Sequence, residues 1–520
     1  CIADQLNTLI MTIKNSSSSN LKSKIHKAVS IALISAGFIP ASHAAETNVN
    51  INNPTGTTID GTDAVTFNNG ASFTVDNDGT IAGTGSGTLA RNGSTITTLT
   101  NNSIISGTAP VDFGEGIQLL SATITNLIND GTISGTTGNS FANGIDITNN
   151  STIGTLTNNG TISGTTGNAF ANGIEVTSST ITTLTNNGTI SGTTGNSFAY
   201  GIEVTSSTLG TLTNNGTISA TAANSFARGI NLKVSTYETL TNNRTISGTA
   251  TGNNGTGNFA YGIDISRSTI TTLTNDGTIT GTAGNDTGSG INVSSNTSIT
   301  NLTNDGTITG TATNDGGSGI TVFINSETTN LTNSGTISGT AGNDTGSGIR
   351  IDTSSVRTLT NDGTISGTAS NDGGRGILLV NTSTLTTLTN NDTITGTATN
   401  DFGTGIRLSR TSTITTLTNN GTITGTATND FGSGIFLTRA STITNLTNTD
   451  TISGTAVNAD GSGIRLNTSS IITTLTNTGT ITGTAATNAF DINIDAASSL
   501  VNFNNLQSGL TYGGRLPGNY

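Results

Sequence analysis

From residue 99 onward the apolar residues fall into three short runs per repeating unit, seen in one unit as Ile145 and Ile147, then Ile153 and Leu156, then Ile162. None of these runs has a helical period. They alternate with Thr and Ser and break at Gly, Asn and Asp, which marks strands joined by turns. The unit is clearest as LTNNGTISGT at residues 156–165, 184–193 and, with one change, 212–221. Its anchoring leucines, from Leu99 to Leu475, are spaced by 28 or 29 residues, except for 33 between Leu240 and Leu273, where residues 251–258 carry the extra length. A degenerate earlier copy stands at residues 75–83. One unit buries too little to fold alone, so stacked units must share a core. The pattern predicts an all-β fold, a right-handed parallel β-solenoid (β-helix) with three short strands per coil and about 14–15 coils of 28–29 residues. At about 4.8 Å per coil the rod is about 65 to 70 Å long.

The Asn-Gly and Asp-Gly pairs would also suit antiparallel hairpins. Against that stands one column: two residues after each of the fourteen anchoring leucines there is an Asn, among them Asn158, Asn186, Asn214, Asn275, Asn304 and Asn333. A side-chain amide can donate to and accept from the same residue one coil away, and such ladders require parallel, in-register stacking. The Gly two residues further on, present in ten of the fourteen units, is expected to supply a positive φ at a coil corner. Phe113, Phe141, Phe170, Phe198, Phe226 and Phe259 recur four residues before the Ile of a Gly-Ile pair and predict an aromatic ladder. In later coils that corner carries Asp286, Asp315, Asp344, Asp372, Asp401 and Asp430, so the rod has two halves with different loops.

Composition sharpens this picture. Only 9% of residues are charged, so Thr, Asn, Ser and Gly must supply the polar surface. A net charge of −13 without clustered Lys and Arg offers no footprint for nucleic acid. Near the start, Met11 is followed by Lys14, Lys22, Lys24 and Lys27, the apolar run 28–39 and the small residues of Pro40-Ala41-Ser42-His43-Ala44. This is the pattern of a secretory signal peptide, cleaved between Ala44 and Ala45. The expected organisation is an upstream translated segment at 1–10, a signal peptide at 11–44, capping and degenerate coils at 45–98, the repetitive solenoid at 99–495, and a C-terminal end opening a linker at 496–520.

The LTNNGTISGT coils, the signal peptide and the tail from Leu510 to Tyr520 resemble autotransporter passengers of type V secretion, over residues 45–520. That resemblance implies a β-helical passenger at the outer-membrane surface or released from it. It also implies adhesion without fixing a ligand; a host or neighbouring cell surface or its glycans is the expected partner, and the long uncharged faces with low net charge per coil set little repulsion against self-association. The departure from the family is a missing membrane barrel: no repeated amphipathic strands of about ten residues with aromatic girdles occur here. The barrel is expected beyond this sequence or on another chain.

Once residues 1–44 are removed the chain has no His, Cys or Met, which takes away the raw material for Ser-His-Asp or Cys-His catalysis and for Cys or His metal sites. No cofactor is expected. Asp146, Glu175 and Glu203 share one outward position on consecutive coils, at a spacing of about 5 Å that retaining glycosidases also use. The column continues as Asn231 and later Arg350, Arg407 and Arg465, so solvated charges drifting with the repeat are expected instead of a polysaccharide-active enzyme. The Asp286 to Asp430 column, set in loops such as Asn314-Asp315-Gly316-Gly317, is a Ca²⁺ candidate that lacks the nonapeptide spacing of Ca²⁺-binding rolls. Thr pairs such as Thr183 and Thr185 form an array like that of ice-binding solenoids, interrupted at Asn126, Asn301, Asn330 and Asn445. Thr is also simply a good polar strand residue. The contact site is expected where Arg228, Lys233, Tyr237 and Arg244 gather charge and aromatic character just before the 33-residue unit. The expected function is therefore a non-enzymatic adhesin or spacer.

Overall fold

The computed structural model describes residues 45–46 and 50–514, apart from 69, 71, 111 and 253–256. The signal peptide expected at 11–44 lies outside the described residues, and Ala45, just past the expected cleavage point, opens the first strand, Ala45–Glu46. The chain forms the expected right-handed parallel β-solenoid with three strands per coil. In one coil these are Ala171–Thr177, Thr180–Asn186 and Thr189–Thr194. Each pairs in parallel with its equivalent in the next coil, as in Ile174↔Ile202, Leu184↔Leu212 and Ile190↔Ile218. Stacking thus builds three sheets, termed first, second and third in the order their strands occur within a coil.

Side chains alternate across each strand, and the inward set is the apolar set found in the sequence. Ile145 and Ile147 of the first sheet, Ile153 and Leu156 of the second and Ile162 of the third are all fully buried. They belong to one continuous core that runs from Ile51 to Phe503. The longer coil keeps register, with Ala227↔Ala260 and Leu240↔Leu273 paired, so its extra length falls in sequence between the strands Thr245–Ala250 and Ala260–Ser266. The solenoid also extends past residue 495, because Ser499–Asn505 adds a further strand to the second sheet.

The Asn column lines the inside of the corner between the second and third sheets. Asn304 is fully buried, accepts from Asn275 Nδ2 at 2.7 Å and donates to Asn333 Oδ1 at 2.7 Å. The ladder is longer than the repeat suggested, starting at Asn53 and ending at Asn505. Each Asn carbonyl also receives backbone N–H groups of the next coil, as Asn158 does from Asn187 and Gly188.

The glycine expectation fails at this corner. None of the glycines two residues beyond a ladder Asn has a positive φ. Glycine is favoured there by close approach, since a Cβ on Gly188 would collide with the Gly160 carbonyl oxygen of the preceding coil. Positive φ falls instead at the corner between the first and second sheets, at Ser178 (50°), Ser206 (52°) and Val234 (54°). A Ser column braces that turn: Ser179 Oγ accepts from the Ser151 amide, and Ser207 Oγ from the Ser179 amide, each at 3.1 Å.

Candidate functional site

The core fixes the inward residues, and on the outside the second and third sheets repeat Thr and Ser from coil to coil. The outer face of the first sheet does not. The residue after each Gly-Ile pair forms one aligned row: Asp146↔Glu175↔Glu203↔Asn231↔Asp264 in the N-terminal part, and Arg350, Leu378, Arg407, Phe436 and Arg465 in the C-terminal part. A second row, two residues before the same Ile, carries Asn172, Tyr200, Arg228 and Tyr261 in successive coils. The Gly of each pair permits close packing beneath this face, because a Cβ on Gly173 would meet Ile190 Cγ2 and the Gly201 carbonyl oxygen, both at 2.6 Å.

The carboxylates are buried or half-buried, contrary to the expectation of solvated, drifting charges. Asp146 is 7% exposed, and Glu115 beside the same row is 3% exposed. Stacked neighbours above, below and beside them exclude water, so burial is the first cause that raises their pKa values. Glu115 is pushed up to about 7, mainly by burial. Asp146 is pushed up to about 8 by burial and then by Glu175, and Glu203 to about 7 by the same two causes. Glu175 is also raised by burial, against hydrogen bonds from Asn143 and Asn172. Asp146 Oδ1, Asn143 Oδ1 and Asn172 Oδ1 have no hydrogen-bond partner.

Of the four expected contact residues, the structure brings only Arg228 into a cluster on this face. Its Nε lies 2.7 Å from Asp264 Oδ2, its Nη1 donates to Tyr200 Oη at 3.0 Å, and its guanidinium lies 4.9 Å from the Phe226 ring centre. Burial alone would lower its pKa, but Asp264, Tyr200, Tyr261 and Glu203 reverse the direction and hold the charge. Tyr237 is no contact residue. It is 2% exposed and fills the core position held by Leu209 and Ile270 in adjacent coils. Lys233 is exposed at the end of the Arg228 strand, and Arg244 is exposed at the corner between the second and third sheets. Tyr200, Tyr261 and Asp264 were missed in the sequence, although their fixed offsets from the Gly-Ile pair could have shown them.

The Phe ladder borders this face. Phe141, Phe170, Phe198 and Phe226 stack with ring centres 5.0, 4.8 and 4.8 Å apart. The Asp column replaces it further along the rod. Among the described residues no three Asp, Glu, His or Cys side chains are arranged to hold a metal ion. Asp315 shares a hydrogen bond with Asp286 and lies near Asp344. Asp401 is pushed up to about 7, first by burial and then by its hydrogen bonds to Asp372 and Asp430, while buried Arg375 lies 3.5 Å from Asp372. The outward Thr array persists on the second sheet, with Asn301 and Asn330 adjacent within it.

In the C-terminal part of the varied row the cations lie against rings. Arg407 sits 5.0 Å from the Phe402 ring centre and 5.3 Å from that of Phe436, and Arg465 sits 3.6 Å from that of Phe431. Nε and Nη1 of both arginines lack hydrogen-bond partners. Burial first, then Arg375, brings Arg407 down to about 9, and burial lowers Arg465.

Comparisons of the chain with protein-family models, with curated proteins and with solved structures return no match. The class that the fold defines is the parallel β-solenoid itself.

Proposed function

We infer that this chain is a non-enzymatic binding rod, exported across the inner membrane and displayed at the cell surface or released, where it serves as an adhesin or spacer. The observation that carries this reading is the confinement of variety. An unvarying core and two repetitive outer faces hold up one face on which charge and aromatic character change coil by coil. A rigid scaffold presenting varied side chains is suited to contact. The signal-peptide pattern and the resemblance to autotransporter passengers support export, with an outer-membrane barrel as the expected anchor. Cell surfaces and their glycans are the proposed partners.

The competing reading is a carboxylate-dependent enzyme acting on polysaccharide. Acid and base roles require environments that push two groups apart in pKa. Here Glu115, Asp146, Glu175 and Glu203 are all pushed in the same direction. The Thr array leaves ice binding as a lesser alternative.

The test is attachment of the purified protein to cells and glycan arrays, alongside turnover assays on neutral and acidic polysaccharides. Attachment without turnover is expected, with thermal hysteresis equal to that of a control protein. Joint replacement of Tyr200, Arg228 and Tyr261 should weaken attachment while the circular dichroism is retained. Polysaccharide cleavage abolished by Glu175→Gln would refute the binding rod.

A further inference from the structure

The charges in the varied row are sorted along the rod, and their spacing has a symmetry. From Gly114–Leu120 to Gly461–Leu466 the first sheet contributes thirteen successive strands. Numbered in that order, Asp146, Glu203 and Asp264 stand on the second, fourth and sixth, and Arg350, Arg407 and Arg465 on the ninth, eleventh and thirteenth. The midpoint between Asp146 and Arg465 falls between Asn292 and Thr321, which are adjacent across the sheet. Asp264 and Arg350 are equidistant from that midpoint at about 7 Å, Glu203 and Arg407 at about 17 Å, and Asp146 and Arg465 at about 26 Å, taking about 4.8 Å per strand.

We propose that this face binds a second copy of the chain, antiparallel, about a two-fold axis that crosses the rod between Asn292 and Thr321. Such an axis places each row on itself with its direction reversed, so every acid of the three pairs meets the arginine of the other copy, and each pair occurs twice. The charge of this row is incompletely compensated within one chain, where Asp146 Oδ1 and Nε and Nη1 of Arg407 and Arg465 are buried without a hydrogen-bond partner. The central pair is already neutralised within the chain, Asp264 by Arg228 at 2.7 Å and Arg350 by Asp352 at 2.8 Å, so the outer two pairs set the register. Glu175 falls opposite the apolar Phe436, while Asp146 and Glu203, whose pKa values burial raises in the single chain, gain arginines that favour their charged forms. In the adjacent row Arg228 falls opposite Arg375, and each has its own Asp, Asp264 and Asp372. A face of about 60 Å by 20 Å gives about 1,200 Å² per partner, within the range of stable dimers.

This proposal rests on the binding-rod reading and names one partner for its varied face. It is tested by sedimentation velocity of the purified protein at about 50 and about 500 mM salt. A concentration-dependent dimer is expected, weakened at least tenfold by the higher salt. Glu203→Arg and Arg407→Glu should each abolish it, because each sets like charges together at two places. Mixing the two variants should restore a dimer, since every Glu203–Arg407 contact of the mixed pair is again complementary. Asp146→Arg and Arg465→Glu form a second, independent set should either first variant fail to fold, as read by circular dichroism. A monomer at all concentrations, or a dimer indifferent to both single reversals, overturns the proposal. A monomer that still attaches to cells would leave the binding rod standing, whereas a charge-dependent dimer that attaches to nothing would remove adhesion and keep the dimer.

Discussion

Replacing Asn304 with Leu tests whether the amide ladder holds the rod together. Asn304 is fully buried and joined to both neighbouring coils. Leu is of similar size but leaves Asn275 Nδ2 without its 2.7 Å acceptor and Asn333 Oδ1 without its 2.7 Å donor. The Thr336 carbonyl, 3.2 Å from Asn304 Nδ2, loses a donor as well. Leaving a buried polar group unpaired costs about 1 to 3 kcal/mol. Two orphaned amides therefore set a range of about 2 to 6 kcal/mol. Asn275 keeps its donations to Gly277 O and Thr307 O, both at 3.2 Å, which places the expected loss toward the lower end, about 2 to 3 kcal/mol. Urea unfolding followed by circular dichroism gives the total. Because each coil contacts chiefly its neighbours, amide exchange should show the loss centred on the coils of Asn275, Asn304 and Asn333. Asn187→Leu, on the exposed side of the same corner, is the control and should change stability by no more than about 0.5 kcal/mol. Equal loss in both variants, or none in either, would show that the ladder is decoration on a fold held by its apolar columns.

Gly290→Ala should destabilise by about 1 to 3 kcal/mol in the same unfolding assay, because its Cβ would meet Ile308 Cγ2 at 2.5 Å and the Gly319 carbonyl oxygen at 2.8 Å in a packed interior. Val234→Gly should instead stabilise by about 0.5 to 1 kcal/mol, since a β-branched residue is strained at a φ of 54° and Val234 is 45% exposed, so little packing is lost. Melting temperature should fall as pH rises from about 5 to about 8.5. Glu115, Asp146 and Glu203, held up to about 7, 8 and 7, keep protons in the folded state that the unfolded chain releases near pH 4, so deprotonation favours unfolding. Asp146→Asn should flatten the upper part of that fall, and a profile that instead rises over this range would contradict the burial of the acidic row.

What the sequence revealed and what it concealed divide along one physical line. Inside the rod every coil faces its own copy, so the requirement at Leu184 is the requirement at Leu212, and the columns of Ile, Leu and Asn announce the fold by recurrence alone. Tyr237 belonged to that inside set and was legible as such, standing three residues before Leu240 where its neighbours have Leu209 and Ile270, but its chemistry suggested contact where its register required burial. Positive φ was not legible, because the corner that needs it accepts Ser178, Val234 and Arg267 as well as Asn149, while glycine serves close approach elsewhere. Close approach is itself uneven: the third-sheet column of Gly192 and Gly248 admits Ala220, whereas the Gly of the Gly-Ile pair has Ile Cγ2 directly in the path of a Cβ. The burial of Asp146 and Glu115 was hidden for a different reason. Alternation assigns them to the outer face, and only the stacking of coils about 4.8 Å apart, beside a bordering ladder of rings, shows that an outward side chain can still lose its water. Repetition thus hides desolvation on the face where it does not repeat: the core demands the same residue in every coil, the varied row demands nothing of the fold, and the charges collected there are free to be arranged for a partner.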